Sequence, residues 1–156
     1  MRTSSSWTIT FVVVLAGCGA PAPASQTIDV CALLSQAEVG AATGLPFGPG
    51  RAENQSCNWD MADGSNLDLT FYAESASEAQ RRFDYDRKHA VAASDLTGVG
   101  DAAFVQGDSA GSVQIILSVR SKGRFFAVIE TAPAGRPSLD ALKQLALTVV
   151  SRLPPS

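Results

Sequence analysis

Histidine, cysteine and basic residues are scarce in this chain. Its 156 residues include one histidine and three cysteines. That number excludes a metal site built from several histidines, and a thiolate site needs more cysteines close together. The 12 lysines and arginines stand against 15 acidic residues, and they form no basic run. Because phosphate binding needs clustered lysine and arginine, we expect no nucleic-acid partner.

Long hydrophobic runs are also lacking. The apolar run at residues 9–16 is shorter than the roughly 20 residues that span a bilayer. It follows a segment whose only charged residue is Arg2, so residues 1–17 have the pattern of a signal peptide. The run ends in Leu-Ala-Gly-Cys at residues 15–18, which resembles the lipobox of bacterial lipoproteins.

This lipobox predicts cleavage between Gly17 and Cys18. The Cys18 thiol is the strong nucleophile that thioether formation with a diacylglycerol requires. Residues 18–27 are rich in proline and alanine and therefore predict a flexible tether. We expect a protein anchored to the extracytoplasmic face of the cell membrane through this covalent lipid. The alternative is an ordinary secretory signal in which Cys18 occurs by coincidence.

Two cysteines, Cys31 and Cys57, remain once Cys18 carries the lipid. Two thiols in an exported domain most simply form one disulfide. The alternatives are a metal-binding pair and a catalytic thiol. A metal pair would need further ligands nearby, and the only histidine is His89.

Patterns of capping and alternation predict a single α+β domain over residues 28–153, followed by a tail at residues 154–156. Capping boxes at Ser35 and Ser75 begin two helices, and Ser138 caps a third with the clearest apolar stripe. The second helix is expected over residues 78–93. Alternating apolar residues predict strands over residues 56–61, 67–72, 102–106, 112–119 and 124–131.

These elements predict an antiparallel sheet with helices packed on one face. Short turns join consecutive strands, and such turns cannot connect parallel neighbours. Residues 124–131 are apolar on both sides of the alternation, so we expect this strand at the centre. Both halves of the chain place strands before a helix, which suggests a weak internal duplication.

Several motifs together resemble a family of small actinobacterial, including mycobacterial, lipoproteins that share a domain of unknown function. The resemblance spans most of the mature chain and implies a lipid-anchored envelope protein with a Cys31–Cys57 bridge. It implies no catalytic residue. The residues that carry it are Asp29-Val30-Cys31-Ala32-Leu33-Leu34-Ser35, Glu38-Val39, Gly44, Cys57-Asn58-Trp59 and Gly98-Val99-Gly100-Asp101-Ala102-Ala103-Phe104.

Few residues could catalyse a reaction or bind a metal, and we predict no catalytic residue, metal or cofactor. His89 follows Arg87 and Lys88, which oppose the protonated state that a catalytic base must reach. We interpret it as an exposed surface histidine. The acidic residues around the first hairpin turn could hold calcium, but turns favour such residues for backbone reasons alone. These acidic residues are Asp60, Asp63 and Asp68.

The remaining hypotheses concern binding. The first is a non-catalytic module that holds an envelope protein on an open sheet face, where Tyr72 is exposed beside Thr70 if only one face is covered. The second is a carrier of a small hydrophobic ligand, held in a pocket lined by Phe125, Phe126, Ile129 and the final helix. The third, an enzyme that uses carboxylates alone, lacks an identifiable acid pair.

Overall fold

Residues 28–73, 75–107, 113–132 and 138–154 are described by the computed structural model. The predicted signal peptide, Cys18 and the tether lie outside these residues. A 3₁₀ turn at Val30–Ala32 opens the described chain. The helices are α1 (Gln36–Thr43), α2 (Ala76–His89) and α3 (Leu139–Arg152), and the strands are β1 (Arg51–Glu53), β2 (Ser56–Asp60), β3 (Asn66–Ala73), β4 (Ser94–Leu96), β5 (Ala102–Gln106), β6 (Gln114–Ser121) and β7 (Arg124–Thr131).

The seven strands form one sheet in the order β1-β2-β3-β7-β6-β5-β4. Every neighbouring pair is antiparallel, which confirms the predicted α+β class. Strand β7 occupies the centre, as its apolar residues on both sides predicted. No helix in the described ranges is long and apolar enough to cross a membrane.

Helix α1 begins and ends where its capping residues predict. The Ser35 hydroxyl accepts a hydrogen bond from the Glu38 amide at 3.3 Å, and a Glu38 carboxylate oxygen accepts from the Ser35 amide at 2.9 Å. This reciprocal pair satisfies two amides that the first turn leaves without helical partners. Gly44 ends the helix with a φ of 69°, a left-handed conformation that glycine adopts without strain.

One face of the sheet, called here the buried face, packs against the 3₁₀ turn, α1 and α3. The strand residues of this face form a single core with Leu142, Leu145 and Val149 of α3. The apolar residues that the inner strands β2, β3, β5, β6 and β7 place on this face are at most 7% exposed, so the covering elements keep water from the middle of the face. These residues are Cys57, Trp59, Leu67, Leu69, Phe71, Ala103, Val105, Ile115, Leu117, Val119, Phe126 and Val128.

Helix α2 packs on the opposite face, called here the α2 face, so the expectation that all helices share one face is wrong. Phe83 of α2 contacts Phe104 and Phe125 edge-on, with ring centroids 5.2 and 5.7 Å apart. The cause lies in the central strand, where Phe125 and Phe126 point to opposite faces and are both fully buried. The strand residues of the α2 face include Asn58, Asp68, Thr70, Tyr72, Phe104, Gln106, Ile116, Ser118, Phe125, Ala127 and Ile129.

The position of α2 also limits the suggested internal duplication. In both halves a helix follows antiparallel strands, as predicted. However, α2 and α3 lie on opposite faces of the sheet. The two halves therefore share the order of their elements and not their packing.

Some boundaries differ from the predicted ones, and the strands β1 and β4 were not predicted. Both of these strands have three residues and lie at the sheet edges, where they are largely exposed and show no apolar alternation. Helix α2 ends at His89 rather than near residue 93, because the backbone is extended at Ala90 and has a φ of 51° at Ala92.

A disulfide joins Cys31 to Cys57, as predicted, with 5.1 Å between their Cα atoms. It fastens the 3₁₀ turn to β2 of the buried face. Trp59 lies beside it and is fully buried. A Cβ atom at Gly50 would lie 2.8 Å from Trp59 Nε1 and 2.9 Å from Cys57 Sγ, so only glycine fits there.

We predict that replacing both Cys31 and Cys57 by alanine lowers the free energy of unfolding by about 3 kcal/mol. The bridge restricts the unfolded chain, and its loss restores that conformational freedom. Urea unfolding of the oxidised protein and of the variant measures the difference. Equal unfolding midpoints would contradict a stabilising role for the bridge.

An ion pair connects the start of α1 to the end of α3. The guanidinium of Arg152 donates to both carboxylate oxygens of Glu38, one of them at 2.9 Å, and to the Leu33 carbonyl at 2.7 Å. Hydrogen bonds from Arg152 and from Ser35 lower the pKa of Glu38 from 4.5 to about 2. Both side chains remain partly exposed, so water weakens the pair.

We predict that Glu38→Gln lowers the free energy of unfolding by about 1 kcal/mol at neutral pH. The pKa of Glu38 is lower in the folded than in the unfolded protein, so its stabilisation is complete above about pH 4.5 and is lost as the pH falls towards about 2. The difference between the two proteins should therefore disappear over this interval. Urea unfolding at several pH values checks it, and a difference that persists at the acid end would refute the assignment.

Candidate functional site

A groove lies between the C-terminal half of α2 and the strands beneath it. Its volume is about 270 Å³. Aliphatic side chains of β6 and β7 form its floor, and charged side chains of α2 form one wall. The lining residues are Tyr72, Arg82, Asp86, His89, Ala90, Gln106, Ile116, Ser118, Ala127 and Ile129.

The register of the sheet produces the apolar floor. Ile129 of β7 lies directly opposite Ile116 of β6 on the α2 face. The next residue outward on one side is Asp68 of β3, and on the other side it is Gln106 of β5. The row across the sheet is therefore apolar at its centre and polar at both ends, a pattern suited to an amphipathic partner.

Aromatic packing and an ion pair hold α2 over the sheet. The buried residues of this helix are Ala79 and Phe83, so its contact with the strands is narrow. Beyond them, the Arg87 guanidinium pairs with the Asp95 carboxylate of β4. Helix α2 therefore covers the strands only around Phe83. The groove stays open next to this contact.

The charges on the groove wall neutralise each other. The Arg82 Nε atom donates to the two carboxylate oxygens of Asp86, at 2.9 and 3.0 Å. The same guanidinium lies over the ring of Tyr72, 5.6 Å from its centroid. The wall is thus polar and hydrogen-bonding, and its ion pair contributes no net charge.

His89 belongs to this wall, although its sequence indicated only an exposed surface residue. It is exposed, and its Nδ1 atom lies 2.7 Å from the carbonyl oxygen of Tyr85. Because a carbonyl only accepts hydrogen bonds, Nδ1 carries the proton and Nε2 is the acceptor of the neutral ring. In a Ser–His–acid triad, by contrast, a carboxylate binds the Nδ1 proton.

Tyr72, expected as an exposed aromatic on an open sheet face, is half-buried because α2 covers it. Its ring lies between the Arg82 guanidinium and the ring of Phe125, whose centroid is 5.2 Å away. Burial raises the pKa of the Tyr72 phenol, and the carboxylates of Asp68 and Asp86 raise it further. Tyr72 therefore forms one end of the groove rather than a flat platform.

Thr70, the second residue of the expected binding face, lies on the same face as Tyr72. Its hydroxyl donates a hydrogen bond to the Asp68 carboxylate. Burial raises the pKa of Asp68 and the nearby charge of Glu53 adds to this, while the bond from Thr70 opposes it. Asp68 and Thr70 line a second, wider and more open depression together with residues 53–56 and Asn58.

The residues proposed for a pocket under the final helix do not come together. Phe125 and Ile129 point to the α2 face, whereas Phe126 points to the buried face and packs in the core with α3. Adjacent residues of a strand point to opposite faces, so these three side chains cannot line one cavity. The groove lies on the other side of the sheet.

The acidic residues of the first hairpin turn are also separated. Asp60 forms an ion pair with Arg51 at 3.0 Å, Asp63 accepts a hydrogen bond from the Ser65 amide, and Asp68 bonds Thr70. The bond from the Ser65 amide to Asp63 is the kind of backbone contact for which turns favour acidic residues. Within the described residues, no group of three or more His, Cys, Asp or Glu side chains could hold a metal ion.

Comparison of this chain with protein-family models, curated proteins and solved structures found no match. The actinobacterial lipoprotein family therefore stays a prediction from the sequence. The site has to be interpreted from its own geometry.

We predict that Phe83→Ala lowers the free energy of unfolding by about 3 kcal/mol, because it removes the ring that packs α2 on the sheet. Tyr85→Ala, two residues away on the same helix, is the matched control. Tyr85 is 60% exposed, so its loss should change stability by less than about 0.5 kcal/mol. Thermal unfolding compares the two, and equal effects would show that α2 is not held by Phe83.

Proposed function

We propose that this protein is a lipid-anchored envelope protein that binds a partner on its α2 face without catalysing a reaction. The lipobox supports the anchor, with Cys18 as the lipidated residue. The groove on the α2 face supports the binding role. The folded body would then present this face to envelope components while the tether holds the body at the membrane.

The difference between the two faces of the sheet is the observation that carries the binding proposal. On the buried face, Ile115 and Leu117 are at most 3% exposed. Ile116, which lies between them on the same strand, faces the groove and is partly exposed, as is Ile129 opposite it. These two adjacent, partly exposed isoleucines are the apolar surface that the groove offers to a partner.

The wall of the groove favours binding over catalysis. His89 directs Nδ1 to a backbone carbonyl, and the Asp86 carboxylate is already bound by Arg82. A general base needs an orienting carboxylate or a nucleophile within hydrogen-bond reach. The contacts of His89 and Asp86 instead hold two polar side chains in fixed positions beside an apolar floor.

A carrier of a small hydrophobic ligand is the second candidate function. The same groove supports it, since its volume of about 270 Å³ could hold a small molecule. The core between the sheet and α3 offers no such support, because Phe126 and Val128 are fully buried there.

The anchoring part of the proposal predicts that radiolabelled palmitate enters the protein in its native host. Cys18→Ser should abolish labelling, because a hydroxyl does not form the thioether. It should also move the protein from the membrane to the soluble fraction. Replacing Cys31 or Cys57 is not a suitable control, because both form the disulfide. The control is Ser25→Ala in the tether, which should leave labelling unchanged. Labelling that survives Cys18→Ser would disprove the anchor.

The binding part predicts site-dependent crosslinking in intact cells. A photoreactive amino acid at Thr70 or at Ile116 should form the same crosslinked product, because both positions are on the α2 face. Leu147, on the outer side of α3 and 47% exposed, is the matched control position. Crosslinking of the same product from Leu147 would contradict a specific α2-face partner.

A further inference from the structure

We propose that the groove binds a small uncharged amphiphile whose hydroxyl group donates a hydrogen bond to His89 Nε2 while its hydrocarbon part lies on Ile116 and Ile129. This inference rests on the second candidate function, the carrier of a small ligand, since it names the class of ligand that the groove takes. The size, charge and polarity of the groove each contribute to it.

The size of the groove limits the ligand. Sites for drug-sized molecules occupy about 300–1,000 Å³. The groove, at about 270 Å³, lies just below this range. Ala127, whose side chain is short, lines the groove between the strands and α2. A single short hydrocarbon chain with a compact head group matches this space.

The charge balance of the groove favours an uncharged head group. Arg82 and Asp86 satisfy each other through two hydrogen bonds, so neither needs a charge from the ligand. A charged head group would lose its water and meet opposing charges of both signs on the same wall. Desolvation of a charge without a dedicated partner is costly, whereas a neutral hydroxyl loses less.

The hydrogen-bonding groups of the groove indicate a hydroxyl. The Tyr85 carbonyl accepts a hydrogen bond from His89 Nδ1, so Nε2 is the acceptor when the ring is neutral. A ligand hydroxyl can donate a hydrogen bond to that atom. Gln106 and Ser118, on the strand side of the groove, offer both donors and acceptors. A hydroxyl group can donate to His89, and a second one can bond on the strand side.

The aliphatic floor accounts for the hydrocarbon part. Ile116 and Ile129 are direct neighbours across β6 and β7, and both are partly exposed. Covering them with hydrocarbon removes apolar surface from water, which favours binding. A flat polar ligand would leave this surface in contact with water.

The test uses a protein that begins at Gln26, with the disulfide formed. Every side chain of the two described cores lies between Ile28 and Leu153, so this protein contains both cores. Three probes share an eight-carbon chain: 1,2-octanediol, octanoate and octylammonium. Methyl NMR signals of Ile116 and Ile129 report binding in the groove. We expect saturable shifts with the diol and binding at least about tenfold weaker with either charged probe.

Two variants test the geometry. His89→Phe keeps a ring of similar shape but removes the acceptor, and should weaken diol binding about tenfold, the effect of one hydrogen bond. Ala127→Leu should fill the groove and abolish binding. Ala37→Leu, on the exposed surface of α1, is its matched control and should bind normally. If Ala127→Leu does not fold, the His89→Phe variant still tests the proposed ligand contact. His89 is exposed and belongs to neither core, so we expect this variant to fold.

Each other outcome overturns the inference. Equal or tighter binding of octanoate or octylammonium would refute the uncharged class while still showing a ligand in the groove. Full diol affinity in the His89→Phe variant would refute the hydroxyl contact. Shifts away from Ile116 and Ile129, or no shifts with any probe, would refute the groove as an amphiphile site. The crosslinking at Thr70 and Ile116 tests the proposed partner independently of all these results.

Discussion

The central strand β7 is apolar on both faces, so helices have to pack on both sides of the sheet, and the three helices of the described residues do so unevenly. Seven strands spaced about 4.8 Å apart make a sheet roughly 30 Å wide. Helix α2 has 14 residues and is therefore about 21 Å long and about 10 Å across. On the buried face, α1, α3 and the 3₁₀ turn together cover the strands, whereas on the opposite face α2 covers part of them. The groove is one place where the described residues leave that face uncovered.

The contacts that stabilise the fold also keep this asymmetry in place. The Cys31–Cys57 bridge and the pair between Glu38 and Arg152 fasten the elements that cover the buried face. By contrast, α2 is held through Phe83 and a few polar contacts. The buried face therefore serves stability, and the α2 face can serve recognition without loss of the main core.

Much of the fold could be predicted, because alternation along a strand and caps at a helix end are local properties. The strand at residues 124–131 and the cap at Ser35 follow from such signals, and the disulfide follows from the two cysteines that remain in an exported domain. The face that α2 covers could not be predicted, since the buried surface of this helix is reduced to Ala79 and Phe83. The edge strands β1 and β4 pair through their backbones, which leaves no pattern in their side chains.

The candidate site was harder to predict than the fold. Ile116 and Ile129 were assigned to strands, and His89 to an exposed helix surface. What brings them together is the antiparallel register of β6 with β7 and the side of the sheet on which α2 lies. Both depend on tertiary packing, and neither leaves a signal in one stretch of sequence. An alternating apolar residue is consistent with a covered face and with an open one.

The central claim is that water reaches Ile116 and Ile129 in the groove of the α2 face and does not reach the centre of the buried face. Paramagnetic broadening of isoleucine methyl signals by an uncharged gadolinium chelate tests it most directly, because Ile115 and Ile116 are adjacent on β6 and point to opposite faces. The account predicts strong broadening for Ile116 and Ile129 and little for Ile115. Equal protection of all three methyl groups would show that the α2 face is covered and would contradict the account.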